Sequence, residues 1–337
     1  MEIIGGYVDR LITVQMRPRV FPVRGRIHEL YEAAREKLAV KSLTLLAAQK
    51  VIENVKDGDN VFVVTGTANR PYLPHGETDG PPGAASIARA VSLGLNANPI
   101  FVVGEGDVEG VKGCARAAGL GVEDYQSRNT TMIVPVPVDD ETARRTCAEL
   151  IDRYDPKAVF SIETLGPNSK GVHHTVLGFD LTEKLPKLHH VFDEANKRGI
   201  LTIAGIDGGN ELGSGSIEEA VRRVMPYGNV CQCPCQSGNA CCTKADVVIP
   251  ANTSNWALYG VSAMLALLLK KPDLLQDVDT EHRMLEACVA AGVVDGVTFR
   301  PIVVVDGVSD KANQSLVNLL HEIVHNGLIE EGLKRPI

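Results

Sequence analysis

The 337-residue sequence predicts an α/β fold: a three-layer α/β/α sandwich around a mainly parallel sheet, with an N-terminal helical arm. Three observations predict it. From residue 57 onward, short apolar runs alternate with segments of helical composition, the pattern of a parallel sheet. Those runs are apolar on both parities, as strands covered on both faces are. Hydrophobic residues make up 44% and charged residues 23%, enough apolar material for one large core.

The elements follow in order. Residues 1–56 read as the arm: apolar positions recur at helical spacing over 2–14, and further helices are predicted over 27–37 and 43–55. Between them, Met16-Arg17-Pro18-Arg19 reads as an exposed basic turn, with a carboxylate-holding pair as the alternative. Residues 57–337 form the main domain. Strands are expected at 61–65, 100–103, 132–136, 158–162, 200–206, 246–250 and 303–305. Helices are expected at 83–94, 107–119, 139–154, near 182–198, and at 217–225, 256–269, 278–291 and 311–327. Ser216 with Glu219 reads as a capping box for 217–225, and Ser254 or Asn255 as the cap of 256–269. His189 and His190 lie in a predicted helix and read as solvated.

Composition narrows the function. The net charge is −8 and no basic stripe stands out, which argues against nucleic acid as a partner. The most apolar stretch, 256–269, is too short for a bilayer span and reads as a buried helix, so no membrane partner is expected. The N-terminus lacks a basic region followed by a long apolar core, so a cytoplasmic protein is expected. A homodimer is the default expectation for a soluble enzyme.

Three loops follow strand ends on one edge of a parallel sheet, where open α/β sheets bind ligands. The first is Glu77-Thr78-Asp79-Gly80-Pro81-Pro82-Gly83-Ala84, between strand 61–65 and helix 83–94. Its two acids and the free N–H groups of the helix start suit a small acidic substrate, although a capped turn has the same composition. The second, 163–174, carries Glu163, Asn168, Lys170, His173 and His174. The third is Asp207-Gly208-Gly209-Asn210-Glu211, whose glycines permit close backbone approach to a ligand. Topology predicts that the three meet in one crevice.

The eight cysteines are uneven. Cys231, Cys233, Cys235, Cys241 and Cys242 crowd together, enough soft ligands for zinc, although the spacing departs from the usual paired pattern and disulfide pairing or free thiols fit as well.

ETDGPPGA at 77–84, GIDGGNELG at 205–213 and SNW at 254–256, in this order and spacing, resemble the D-glutamate cyclase-like domain family across roughly residues 5–325. The cysteine-rich segment is a departure from the family's shorter one. The resemblance implies a lyase that dehydrates D-glutamate to 5-oxo-D-proline. In eukaryotic members such a domain follows a hydro-lyase-like domain, which these 337 residues do not contain. That chemistry needs a base for the amine and an acid or metal ion at the carboxyl. Glu77 or Asp79 is expected as base or acid, with Asp207 and Glu211 as a second pair acting through Mg2+ or another divalent ion. Thr78, Gly80, Asn168, Lys170, His173, Gly208, Gly209, Asn210, Ser254 and Asn255 are expected to bind substrate, and the start of helix 83–94 to meet one substrate carboxylate. No nucleotide cofactor is predicted. The alternatives are another amino-acid or lactam enzyme on the scaffold, a hydrolase or racemase, or a non-catalytic ligand-binding protein.

Overall fold

A computed structural model of the chain describes residues 1–17, 25–123 and 127–329. Three helices come first: α1 (Glu2–Ile12), α2 (Arg26–Leu38) and α3 (Leu43–Asn54). Then follow β1 (Asn60–Thr65), α4 (Pro81–Leu95), β2 (Asn98–Gly104), α5 (Val108–Ala117), β3 (Gly121–Val122), β4 (Thr130–Val136), α6 (Asp140–Tyr154) and β5 (Ala158–Ile162). The second half adds α7 (His189–Lys197), β6 (Leu201–Ile206), α8 (Glu218–Val224), β7 (Val247–Pro250), α9 (Ser254–Leu268) and α10 (Val278–Ala290). A short hairpin, β8 (Val304–Val305) and β9 (Val308–Ser309), leads into α11 (Asp310–Leu328).

Seven strands form one parallel sheet in the order β3-β4-β2-β1-β5-β6-β7. Side chains alternate between its faces, and both faces are apolar. Val61 and Val63 of β1, Phe101 and Val103 of β2, and Phe160 and Ile162 of β5 join the core built with α3, α4 and α9. Phe62, Val64, Ile100, Val102 and Val159 face the other way, onto Cys147 and Ile151 of α6 and Val191 and Phe192 of α7. This is the α/β sandwich that unbroken apolar runs demand. The arm shares the first core: Val8, Leu30 and Val51 belong to it. The buried Asp9 carboxylate ties the arm's three helices together, accepting from Tyr31 Oη at 2.9 Å and Leu43 N at 2.7 Å.

The chain leaves β1 toward β2 on one side and returns to β5 on the other, so β1 and β5 flank the switch point. Loops after β1, β5 and β6 rise from neighbouring strand ends there.

Two helices begin at that edge, and each is capped by the other. Asp79, just before α4, accepts from the backbone N–H of Ser254 at 2.7 Å and Asn255 at 2.8 Å, the first two residues of α9. Asn255 Oδ1 in turn accepts from Gly80 N at 2.9 Å and Gly83 N at 2.8 Å at the start of α4. Gly83 is required by this contact, because a Cβ would lie 2.8 Å from Asn255 Cα. The expectation that Ser254 or Asn255 caps its own helix is corrected: both are inside α9, and the cap comes from a loop 175 residues away. The Ser216–Glu219 capping box is also absent. Ser216 bonds to the backbone of Ala245 instead, and α8 starts at Glu218 without a side-chain cap. The helix expected near 182–198 is shorter, starting at His189. Pro186 lacks a donor and disfavours helix before it.

Removing a helix cap costs about 1 kcal/mol, and leaving buried N–H groups unpaired adds about 1–3 kcal/mol. Asn255→Ala is therefore expected to destabilise the fold by about 2–4 kcal/mol in chemical denaturation. A change below about 0.5 kcal/mol would show that the two helix starts hold without this cap.

Candidate functional site

Strand ends deliver the acids. Glu163 directly follows β5 and Asp207 directly follows β6. Glu77 and Asp79 sit on the loop after β1, and Asp306 follows β8. Glu77, Glu163, Asp207 and Asp306 line one cavity of about 1100 Å³, together with Asn210, Arg17, Arg26, Lys184 and Gly296. Asp79 is buried and does not line the cavity. One oxygen each of Asp79, Glu163 and Asp207 fall within 4.8 Å of one another, close enough to share a cation.

One guanidinium reaches into the acids. Arg17 Nη1 donates to Asp207 Oδ2 at 2.9 Å and to Asp306 Oδ2 at 2.8 Å, and Nη2 donates to Asp207 O at 2.9 Å. The segment that carries it is pinned by Asn252 Oδ1, which accepts from Met16 N at 2.8 Å. Arg17 thus corrects the exposed-turn reading of Met16-Arg17-Pro18-Arg19; Pro18 and Arg19 lie outside the described residues. Gly296 admits the Glu77 carboxylate, since a Cβ there would overlap Glu77 Oε2 and come within 3.0 Å of Asp306.

Among the described residues, five carboxylates meet one guanidinium here, and they cannot all ionise cheaply at this depth. Burial, then the neighbouring charge of Asp207, pushes Asp79 and Glu163 well above the carboxylate range. Burial and Asp306 do the same to Glu77. Asp207 rises only to about 6 through burial, because Arg17 opposes the shift. Asp306 rises to about 7, through burial and Asp207, again against Arg17. Asp79 and Asp207 lie close enough to share one titration, each acting on the other's protonation.

The chain matches the model of the D-glutamate cyclase-like, C-terminal family over residues 26–321. It belongs to that family. Human mitochondrial D-glutamate cyclase is 28% identical over 221 residues, which are 62% of this chain and 33% of the human protein. The chain thus spans about a third of that relative's length. Among solved structures, a Bacillus subtilis ureidoglycine–glyoxylate aminotransferase aligns over 85% of this chain and 68% of its own, at 12% identity and a TM-score of 0.22.

In this cyclase-like chain the three expected loops do meet, but their residues divide. Glu77, Asp207 and Asn210 face the cavity. Thr78, Gly80, Ser254 and Asn255 are buried in the junction of α4 and α9. Thr78 Oγ1 donates to Val304 O at 2.6 Å, and Ser254 Oγ to Glu163 Oε2 at 2.6 Å. The start of α4 is not open to a substrate carboxylate. Pro81 and Pro82 have no N–H, and those of Gly80 and Gly83 are taken by Asn255.

Glu211 is held differently from the expected metal partner of Asp207. Its carboxylate accepts from Asp207 N at 2.9 Å, Gly208 N at 2.6 Å and Gly209 N at 2.5 Å. It shapes the loop and occupies the N–H groups that Gly208 and Gly209 were expected to offer. Glu163 takes its place in the acid trio.

Lys170 is exposed and outside the cavity wall. Asn168 donates to Gly238 O at 2.7 Å, beneath the cysteine loop. His173 packs its ring 5.0 Å from that of His189. His189 and His190 are buried, which corrects their solvated reading; His190 Nε2 lies 2.9 Å from Asp140 Oδ1. Cys241 and Cys242 stand apart from Cys231, Cys233 and Cys235, which group with His174.

Asp306, Arg26 and Gly296 were missed. Asp306 carried a usable signal, an acid closing an apolar run as Glu163 and Asp207 do. Arg26 and Gly296 carried none, being ordinary in a helix start and a loop.

A pH dependence follows. Asp207 and Asp306 hold protons up to about 6 and about 7 in the folded chain, against 3.8 for the free group. The folded state binds more protons than the unfolded one between those values, so stability falls as pH rises through them. The urea midpoint, measured with chelator present, is expected to drop from about pH 4 to about pH 7, and Asp207→Asn to flatten the drop. A midpoint that rises across that window would contradict the protonation assigned here.

Proposed function

We propose that the cavity binds D-glutamate and closes it to 5-oxo-D-proline with loss of water. The observation that carries this reading is the cavity's polarity. Its floor is a pool of buried carboxylates, and its wall holds a buried guanidinium, Arg26, whose Nε and Nη1 have no hydrogen-bond partner among the described residues. An amino dicarboxylic acid matches both: ammonium toward the acids, carboxylate toward Arg26. A buried charged donor without a partner is costly unless a ligand supplies one. Family membership and the name of the human relative support the same substrate.

Ring closure requires a neutral amine, attack of its nitrogen on the δ-carboxyl carbon, and departure of one carboxyl oxygen as water. Two groups with pKa values pushed apart divide this work. Asp207, kept partly ionised by Arg17, accepts the proton that the ammonium gives up. Glu77, held protonated by burial and Asp306, gives a proton to the leaving oxygen. The bond formed is nitrogen to carbonyl carbon and the bond broken is carbon to the departing oxygen. Nitrogen gives up two protons, one to Asp207 before attack and one to Glu77 once Glu77 has donated. The oxygen takes two, from Glu77 and then from Asp207, so that water leaves and both acids return to their starting states. The cavity wall holds the substrate curled, so that amine and carboxyl meet.

Asp79, Glu163 and Asp207 have the hard oxygen donors that a divalent ion such as Mg2+ takes. Bound there, the ion would polarise the substrate carboxyl and offset the acids' charge.

Incubation with D- or L-glutamate, with and without divalent ion, followed by chiral detection of 5-oxoproline tests the reading. Formation of the D product is expected. Glu77→Gln should lower turnover by about two orders of magnitude, the usual worth of a proton donor. Arg26→Ala should act chiefly on KM, because it removes ground-state binding. Full activity in Glu77→Gln would remove Glu77 from the mechanism, and binding of D-glutamate without turnover in the native protein would make the cavity a receptor site.

A further inference from the structure

The loop between α8 and β7, residues 225–246, contains no helix or strand, yet much of it is buried. A structureless stretch of this length inside a domain usually needs something besides backbone ladders to hold it. Its three leading cysteines converge on one histidine from the opposite loop. Cys231 Sγ lies 3.6 Å from Cys233 Sγ and 3.3 Å from Cys235 Sγ. His174 Nε2 lies 3.3 Å from Cys233 Sγ and 3.7 Å from Cys235 Sγ.

We propose that Cys231, Cys233, Cys235 and His174 form a structural zinc site that braces one wall of the cavity. Zinc at about 2.3 Å from sulfur and about 2.0 Å from nitrogen, in tetrahedral geometry, spaces sulfurs by about 3.8 Å and sulfur from nitrogen by about 3.5 Å. Three of the four contacts lie within about 0.3 Å of such spacing, the Cys231–Cys235 pair is about 0.5 Å shorter, and all four ligand atoms fall within 4.8 Å of one another. A disulfide needs sulfurs about 2.05 Å apart, so these contacts are not bonded pairs. Three thiolates and one imidazole are a closed structural donor set, with no place left for a catalytic water.

The surroundings suit a permanent ion. Cys231, Cys233 and His174 are buried and Cys235 is half-buried. Asn168 Nδ2 lies 3.4 Å from Cys235 Sγ, where it supports a thiolate. Gln236 Nε2 donates to Cys233 O at 2.7 Å and to Cys231 O at 3.3 Å, fixing the turn that aims the sulfurs.

The site also has a structural consequence. His174 O accepts from Asn210 Nδ2 at 2.9 Å, and Thr175, Val176, Leu177 and Phe179 line the cavity immediately after it. The cysteine loop laces onto this wall: Gln232 N donates to Gly178 O at 2.9 Å, and Asn239 Nδ2 to Val176 O at 3.0 Å. The bracing holds whether or not the cavity closes glutamate.

Elemental analysis of the full chain, grown in zinc-containing medium and purified without chelator, tests the proposal. About one zinc per chain is expected, falling at least about tenfold in Cys233→Ser and in His174→Ala, and unchanged in Cys242→Ser. Should the first two variants fail to fold, cobalt exchanged into the native protein gives the answer through thiolate-to-cobalt absorption bands. An empty site with no cobalt bands, iron or copper in place of zinc, zinc loss in Cys242→Ser, or a Cys231–Cys235 disulfide in the intact mass would each overturn the proposal.

Discussion

The mutual capping of α4 and α9 is the constraint on which the rest depends. Asp79 satisfies the N–H groups of one helix and Asn255 those of the other. Both helices therefore start at the same point, above the carboxyl ends of the central strands. Their positive ends lie beside the buried acids. Without that arrangement, Asp207 and Asp306 would rely on Arg17, the guanidinium that pairs with both among the described residues. The pair also explains why Gly83 and the two prolines stand together: the helices approach too closely for a side chain, and the prolines have no N–H to leave unpaired.

Charge imbalance is the site's second property, and it follows from the first. A helix start that is already filled by Asn255 has no free N–H groups to offer a ligand, so the charged groups open to the cavity are side chains on its wall. The acids keep protons at values where free carboxylates have lost them, which leaves donors and acceptors side by side at neutral pH. Such a pool suits chemistry that both removes a proton from nitrogen and delivers one to oxygen.

Six of the sheet's seven strands were legible because each is a short apolar run; the edge strand β3, Gly121–Val122, is two residues with no such run, and the run at 303–305 falls in the separate β8–β9 hairpin. The meeting of the three loops follows from parallel topology. What was not legible is tertiary. Arg17 looks like part of an exposed turn until α1 packs on α9 and Asn252 draws the segment over the acids. Asp79 and Glu211 look alike as loop acids, but both accept backbone N–H groups, one from a distant helix and one from its own loop. Ser216 has the spacing of a capping box and spends its hydroxyl on Ala245. His174 lies 57 residues before the first of its cysteine partners, Cys231 (231 − 174), so no local spacing could join them.

We propose that acids from three separate strand ends make one cation-holding pocket for an amino dicarboxylic acid. Crystals soaked with Mn2+ and D-glutamate, measured at the manganese absorption edge, distinguish the outcomes. An anomalous peak is expected among Asp79, Glu163 and Asp207, with the amino acid in the adjoining cavity and its carboxylate on Arg26. Manganese elsewhere, or D-glutamate bound away from these acids, would contradict it.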